Sequence, residues 1–308
     1  MKITIRITFP KLLIWCAFVF ISFSAQAWER EREELRCPAS QGKFSQIQKK
    51  AQANNAEAQT VLASCYDLGR NVTASRKENI HWLTLAANQG YAPAEFQLGR
   101  IYLYGSGVPS DYQQALLWEK KAAQQGIAEA QRDLAFMYEQ GFGTTADSKE
   151  ATVWNRKAAE QGEREAQLQL AKALETENRG EALEWYQKAG RQELPEAQLR
   201  LAQMLFANHD CKAAMAWYER ASGNGVAQAM YELGKIYQSG NCAERSVALA
   251  YRWFQTGGRY GSEESQLEAA KLSSSIALQQ KKAIDLKIEK WSAKHSGADK
   301  REDKEEEH

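Results

Sequence analysis

The sequence predicts an all-α solenoid of about six helix–turn–helix repeats with capping helices at its ends. The first observation behind this fold class is a segment that returns: Tyr104–Gly126 reappears 36 residues later as Gln140–Gly162, with a Gly-x-Gly and a Trp in matching places. A fixed period of this length is typical of repeat architectures. The second observation is that apolar and small residues recur at the spacing of one helix face. The third is a glycine after most helical runs, where it ends a helix without strain.

The first 27 residues predict a secretory signal peptide. Lys2, Arg6 and Lys11 precede the apolar run Leu12–Phe23, which is followed by Ala-Gln-Ala at positions 25–27, the pattern of a cleaved leader. Because the run is too short to span a bilayer, we expect a mature protein that begins at Trp28, is periplasmic or secreted, and is not inserted in a membrane. An uncleaved anchor is the alternative. Cleavage leaves 37 basic and 39 acidic residues, a balance that argues against nucleic acid as a partner.

Residues 28–55 are predicted to form an N-terminal segment with a capping helix over Phe44–Asn55, and residues 56–261 the repeat array. In each repeat a core alanine is followed four residues later by a leucine and then by a small residue, which lets a neighbouring helix approach closely. The alanines are Ala58, Ala94, Ala130, Ala166, Ala197 and Ala229, and the leucines are Leu62, Leu98, Leu134, Leu170, Leu201 and Leu233. The second helix of each repeat carries one tryptophan: Trp82, Trp118, Trp154, Trp185, Trp217 or Trp253.

The Gly105-x-Gly107 pair in front of a helix is also the pattern of a phosphate-binding loop. Three observations argue against a nucleotide: the pair recurs in the next repeat, no strand pattern precedes it, and no Lys-Ser or Lys-Thr follows it. We expect these glycines to end the first helix of a repeat, while Asp111 and Asp147 cap the second helix. No cofactor is predicted.

The segment APAEFQLGRIYLYGSGVPSDYQQALLWEKKAAQQG, residues 92–126, and its counterparts resemble the Sel-one-like repeat family, a branch of the tetratricopeptide superfamily. The resemblance covers residues 56–261 and implies a right-handed superhelix. It also implies a binding scaffold, since bacterial members organise envelope complexes, take part in signalling or mediate contact with host cells. Repeats four and five depart from the pattern. They measure 31 and 32 residues and lack the Gly-x-Gly, which predicts tighter turns and a changed twist.

The C-terminal part of the chain is predicted to close the array. Residues 262–294 are expected to form capping helices, in which Ile276, Ile284, Ile288 and Trp291 cover the last repeat, as terminal repeats require. Residues 295–308 are rich in charge and are predicted to be a disordered, solvated tail.

Four cysteines remain after cleavage, and an even number in an exported protein suggests disulfides. Counting allows three pairings. Cys211 and Cys242 fall in the helix–helix turns of adjacent repeats, and Cys37 precedes the capping helix that packs on the repeat containing Cys65. The crossed pairings would span several repeats, farther than a disulfide reaches. We therefore predict Cys37–Cys65 and Cys211–Cys242, with free buried thiols as the alternative.

Catalytic and metal-binding patterns are weak or missing, so the sequence predicts no catalytic residue and no metal site. Ser40-Gln41-Gly42-Lys43 matches Ser-x-x-Lys, and some cysteine-rich relatives are described as penicillin-binding or β-lactamase proteins. A serine β-lactamase also requires Lys-Thr-Gly and Ser-Asp-Asn elements, which this sequence lacks. The tryptophan series is interpreted as core, with a ligand-stacking ladder as the alternative.

A partner-binding groove is predicted along the first helix of each repeat, at two register positions that face inward in tetratricopeptide-like arrays. One set is Thr60, Phe96, Arg132, Leu168, Leu199 and Tyr231, and the other is Ser64, Arg100, Phe136, Lys172, Gln203 and Lys235. The apolar members are expected to anchor a partner, and the four cations Arg100, Arg132, Lys172 and Lys235 to favour carboxylates. Ordinary solvated positions are the alternative interpretation.

Together these features predict an exported, non-enzymatic adaptor or scaffold that binds an extended protein segment carrying carboxylates. Two functions of other classes compete with it. One is a β-lactam- or peptidoglycan-active enzyme, and the other is a carbohydrate-binding module of the envelope. The sequence leaves the oligomeric state open.

Overall fold

A computed structural model of the chain describes residues 36–295 and places fifteen α-helices and no strand within them. The predicted all-α class of helix–turn–helix repeats is confirmed. The predicted signal peptide, the start at Trp28 and the tail from residue 296 onward lie outside the described residues. The helices are α1 (Gln41–Gln52), α2 (Ala56–Leu68), α3 (Arg76–Ala87), α4 (Ala92–Tyr104), α5 (Tyr112–Gln124), α6 (Ala128–Gln140), α7 (Ser148–Glu160), α8 (Arg164–Leu174), α9 (Arg179–Arg191), α10 (Pro195–Ala207), α11 (Cys211–Gly223), α12 (Ala227–Ser239), α13 (Val247–Arg259), α14 (Glu263–Ser273) and α15 (Leu278–His295).

The helices fall into two compact units, which divide after Ala166. In unit 1, α2 packs on α3, α4 on α5 and α6 on α7, so that each pair forms a helical hairpin, and α1 packs on α2. In unit 2 the hairpins are α10 with α11 and α12 with α13, and the last two helices pack against α13. The first helix of each repeat is called helix A below, and the second is called helix B.

The turns between helix A and helix B come in two lengths. The longer ones cover residues 69–75, 105–111, 141–147 and 240–246, while repeats four and five use only residues 175–178 and 208–210, as their shorter periods predict. In the longer turn of repeat three, Gly143 has φ +71°, and a Cβ there would overlap the carbonyl group of Tyr112. The glycine therefore permits this turn to lie directly against the start of α5.

Side-chain caps fix where several helices begin. Asp111 accepts hydrogen bonds from the backbone N–H groups of Gln113 and Gln114, and Asp147 caps α7 in the same way. Ser40 Oγ accepts a hydrogen bond from the backbone N–H of Lys43, so α1 starts at Gln41, three residues before the predicted start. The Ser-x-x-Lys match is therefore a helix cap.

The core follows the predicted register. All six register alanines and leucines are at most 5% exposed, and five of the helix-B tryptophans are 6–9% exposed. Cations three residues after four of these rings lie over them, 3.5–4.8 Å from the ring centroid: Lys121 over Trp118, Lys157 over Trp154, Lys188 over Trp185 and Arg220 over Trp217. These tryptophans are thus core residues whose remaining edge is covered by a cation.

An amide ladder connects successive helices within each unit. The side chain of Gln131 on α6 donates to the carbonyl of Ala123 at 3.1 Å, and its Oε1 accepts from Gln161 Nε2 at 2.8 Å. Gln131 is therefore hydrogen-bonded both to the end of α5, the helix B of the preceding repeat, and to the end of α7, the helix B of the same repeat. The same two bonds are made by Gln59 with Ala51 and Gln89, and by Gln198 with Gly190 and Asn224.

Each unit contains one disulfide, and the pairing is the one expected from the sequence. Cys37 is bonded to Cys65 with 4.9 Å between the Cα atoms, and Cys211 to Cys242 with 5.0 Å. Both separations lie in the ordinary range for a disulfide. The first joins the segment before α1 to α2, and the second joins the start of α11 to the turn after α12.

Helix α15 covers the last repeat, as predicted. Ile284 and Ile288 are buried in a cluster with Tyr251 and Phe254 of α13, and the ring of Trp291 packs edge-to-face on Trp253. Unit 2 therefore ends with an apolar surface that its own chain covers.

Candidate functional site

The predicted groove residues lie on helix A, but the structure gathers them in two separate sets. Unit 1 holds six of the twelve, on α2, α4 and α6: Thr60, Ser64, Phe96, Arg100, Arg132 and Phe136. Unit 2 holds the other six, on α8, α10 and α12: Leu168, Lys172, Leu199, Gln203, Tyr231 and Lys235. Leu168 is only 5% exposed and Thr60 0%, so the expected place of these two side chains on an open groove is wrong, because both are part of the core.

Three of the four predicted recognition cations lie near a carboxylate of the chain, and two of them are in close contact with it. The Arg132 guanidinium bonds Asp133 at 2.7 Å and Glu163 at 3.1 Å, and Lys172 Nζ lies 2.6 Å from Glu196. These two cations, which were expected to favour a partner's carboxylates, already contact carboxylates of the chain. Arg100 and Lys235 make no side-chain hydrogen bond to a carboxylate among the described residues.

Arg100 is held by aromatic rings with its guanidinium open to solvent. Its guanidinium carbon lies 5.5 Å from the ring centroids of both Phe96 and Tyr104, and its side chain is 50% exposed. Its Nε lies 3.8 Å from Asp133 Oδ2, beyond hydrogen-bond distance, and the guanidinium makes no hydrogen bond within residues 36–295. A planar guanidinium of this kind suits bidentate binding of a carboxylate.

Exposed aromatic rings lie in the same unit. Tyr104 is 53% exposed, Phe136 44% and Tyr112 38%. Phe142 connects the last two: it stacks on Tyr112 with 4.3 Å between ring centroids and packs edge-to-face on Phe136 at 5.7 Å. Aromatic residues and arginine are the residue types that dominate binding energy at protein interfaces, so this helix-A surface has the composition of a binding site.

A buried carboxyl group lies next to this surface, and our sequence analysis did not find it. Glu119 on α5 is 0% exposed, and neither of its carboxyl oxygens has a hydrogen-bond partner among the described residues. Gly99 on α4 makes room for it, since a Cβ there would lie 2.7 Å from Glu119 Oε1. The residue directly after the helix-B tryptophan is a buried apolar or aromatic residue in four other repeats: Leu83, Tyr186, Tyr218 and Phe254. Comparing that position across the repeats would have singled out Glu119.

Asp133 on α6 completes a buried acidic pair with Glu119. It is 3% exposed, and its Oδ1 accepts hydrogen bonds from Arg132 Nε at 3.0 Å and Nη2 at 2.7 Å. Burial raises the pKa of Asp133, while Arg132 opposes that rise. Burial first, and then the negative charge of Asp133, raise the pKa of Glu119 well above its usual range. Glu119 is therefore the member of the pair that retains a proton more readily.

Other kinds of site find little support within residues 36–295. No group of three His, Cys, Asp or Glu side chains is arranged there to hold a metal ion. No helix in that range has the length and apolar character needed to span a bilayer. Because Trp118, Trp154 and the other buried tryptophans are 6–9% exposed, they offer no face on which a sugar ring can stack.

Helical hairpins that share one register of buried alanines and leucines define a helical-repeat fold of the tetratricopeptide-like class. The Sel1 repeat model matches residues 56–91, 92–127, 128–163, 165–194, 195–226 and 227–259. The chain belongs to the Sel1 repeat family. The family resemblance inferred from the sequence is thereby confirmed.

Two solved structures show the same fold. A Sel1 repeat protein from Oxalobacter formigenes is 30% identical, with a TM-score of 0.54 over 66% of this chain and 85% of its own. A protective antigen of uropathogenic Escherichia coli, described as having an SLR fold, is 23% identical, with a TM-score of 0.54 over 82% of this chain. The present chain spans 64% of the length of that antigen. No curated protein matches the sequence.

Proposed function

We propose that the protein is an exported, non-enzymatic adaptor that binds an extended, carboxylate-bearing segment of another protein. The binding surface in this proposal is the helix-A surface of unit 1, formed by Phe96, Arg100, Tyr104 and Phe136. The observation that carries it is the half-exposed guanidinium of Arg100, which lies against two rings and makes no hydrogen bond to any residue from 36 to 295. Membership of a repeat-scaffold family supports the same class of function.

The chemistry of the surface indicates what the segment carries. A carboxylate that meets the Arg100 guanidinium in a bidentate manner gains two charge-assisted hydrogen bonds. An adjacent apolar side chain of the partner can then pack on the exposed rings of Tyr104 and Phe136. Unit 2 repeats this combination in its sixth repeat, where Lys235 Nζ lies 5.5 Å from the ring centroid of Tyr231. We propose Lys235 as a second contact point of the same kind.

Export is proposed from two features that agree. The N-terminal 27 residues have the composition of a signal peptide, and two disulfides occur in the structure. Disulfides persist in oxidising compartments such as the periplasm or the exterior of the cell. N-terminal sequencing of protein secreted by a bacterial host tests the start at Trp28, and a membrane-bound product that retains Met1 would contradict it.

The binding surface is tested with a fluorescein-labelled synthetic peptide of alternating glutamate and phenylalanine, called the Glu/Phe peptide below. Binding is followed by fluorescence anisotropy at low salt, and the control peptide has glutamine in place of glutamate. We expect Arg100→Gln to weaken binding about 10-fold or more, because it removes a hydrogen bond to a charged group.

Arg200→Gln is the matched control for this experiment. Arg200 is also a half-exposed helix-A arginine, 47% exposed and 3.9 Å from the carboxylate of Glu175, but it lies outside the proposed surface. Its substitution should leave the affinity unchanged. If the folded wild-type protein shows no saturable binding, or if both arginine variants lose affinity equally, the proposed function of this surface is wrong.

A further inference from the structure

We propose that Glu119 is the positioning residue that sets the specificity of the Arg100 site, and that it makes carboxylate binding depend on a proton. When Glu119 is uncharged, Arg100 is available to a partner's carboxylate. When Glu119 is charged, it holds Arg100 against the protein. This inference rests on the proposed function and adds the residue that regulates it.

The position of Glu119 is the first argument. In four other repeats the corresponding residue is apolar or aromatic and buried, so the fold itself has no need of a carboxyl group there. A buried polar group without a hydrogen bond destabilises the folded state, and Glu119 has no such bond for either oxygen within residues 36–295. Glu119 packs on Gly99, the residue before Arg100, and a group that lowers stability at such a core position is expected to serve binding.

The charges around Glu119 give the second argument. The groups that act on it are Arg100 and Tyr104 from α4, and Arg132 and Asp133 from α6. Arg132 is hydrogen-bonded to Asp133 and to Glu163, so its charge is balanced within unit 1. Arg100 is the other cation that acts on Glu119, and it makes no hydrogen bond among the described residues. A negative charge on Glu119 would therefore be balanced chiefly by Arg100.

The direction of the proton linkage follows from these charges. With a proton on Glu119, Arg100 faces one nearby carboxylate, Asp133, at 3.8 Å. Loss of the proton adds a second carboxylate and lowers the local positive potential that attracts a partner's carboxylate. Affinity should consequently fall as the pH rises through the pKa of Glu119, which burial raises. The Arg100 site should therefore prefer a partner's carboxylate at lower pH and should lose this preference at higher pH.

The test measures the affinity of the unlabelled Glu/Phe peptide by isothermal titration calorimetry at several steps from about pH 6 to about pH 9, a range in which the peptide's glutamates stay charged. The wild-type protein should bind about 10-fold more weakly at the higher pH, a typical coupling between two linked sites. Glu119→Gln keeps the shape of the side chain but removes its charge. Glu119→Leu introduces leucine, the residue that the first repeat has at the equivalent position, Leu83. Both variants should bind as the wild type does at about pH 6 and should show no decrease at about pH 9.

Glu163 requires a control, because burial raises its pKa to about 7 and it bonds Arg132. Glu163→Gln should retain the wild-type decrease in affinity. If the decrease persists in Glu119→Leu, or if wild-type affinity does not change with pH, the role of Glu119 is wrong while the Arg100 surface stands. If the wild type binds the peptide at neither pH, the proposed function fails and this inference fails with it.

Discussion

Replacing Gly143 by alanine tests whether close contact between a turn and the next helix stabilises unit 1. Two effects of this substitution destabilise the folded protein. The positive φ of +71° costs an alanine about 1–2 kcal/mol. The new Cβ also overlaps the Tyr112 carbonyl and would lie 2.7 Å from its carbon, and relieving such overpacking typically costs about 1–3 kcal/mol. Because the overlap involves backbone atoms, a side-chain rotation cannot remove it.

Gly126→Ala isolates the second effect. Gly126 has φ +93°, but a Cβ there meets nothing within 4 Å, so only the conformational cost of about 1–2 kcal/mol applies. The entropic effect of alanine on the unfolded chain is the same in both variants and cancels in their difference. Gly143→Ala should therefore be less stable than Gly126→Ala by about 1–3 kcal/mol.

Urea unfolding followed by circular dichroism and by tryptophan fluorescence measures this difference. Two probes are needed because repeat arrays do not always unfold in one step. Equal unfolding midpoints for the two glycine variants would refute the reasoning. They would show that the turn can move away from Tyr112 without lowering the free energy of unfolding. A difference seen by only one probe would place the damage in one part of the chain.

Three further predictions follow from the fold. Replacing Cys211 and Cys242 together by alanine should lower stability by about 3–4 kcal/mol, because the bond closes a loop of 31 residues. Wild-type protein that begins at Trp28, unfolded without reduction, should correspondingly show no free thiol. Gln131→Ala should cost about 1–3 kcal/mol in urea unfolding, since it leaves a buried carbonyl and an amide without their partner. Glu119→Leu should raise the free energy of unfolding, and its advantage over the wild type should grow as the pH rises above about 4.5, the ordinary pKa of glutamate. The reason is that a raised pKa of Glu119 favours the folded state only while the group carries its proton. If the difference between the unfolding curves of variant and wild type does not change with pH, this reasoning is wrong.

The periodic features of the chain were predictable because each depends on residues close in sequence. Helix order, the alanine–leucine register, the long and short turns and the cover provided by Ile284 and Ile288 all follow from spacing along one chain. The pairing of Cys211 with Cys242 also followed, since adjacent repeats place equivalent turns side by side. The start of α1 was placed three residues late because the Ser40 cap was not recognised as a helix start.

The candidate site was less predictable because the charge and exposure of each of its residues depend on contacts with residues of neighbouring helices. The register assigned Arg132 to the inner face, but it does not show that Asp133 and Glu163 neutralise that arginine. It placed Leu168 there as well, although the side chain is buried. Glu119 was overlooked because a glutamate in an amphipathic helix is ordinarily solvated, and only packing against Gly99 shows otherwise.

The amide ladder has a consequence for how such a chain changes length. Each bond of the ladder runs from a helix-A glutamine to a backbone carbonyl near the end of the preceding helix. The ladder continues past the sixth repeat, where Gln266 of α14 donates to the carbonyl of Gly258 at 3.1 Å. Helix α14 therefore docks as the first helix of a seventh repeat would, with α15 in place of a regular partner. Repeats joined in this way can be gained or lost without redesign of the joint, because the same glutamine-to-carbonyl bond recurs at Gln59, Gln131, Gln198 and Gln266.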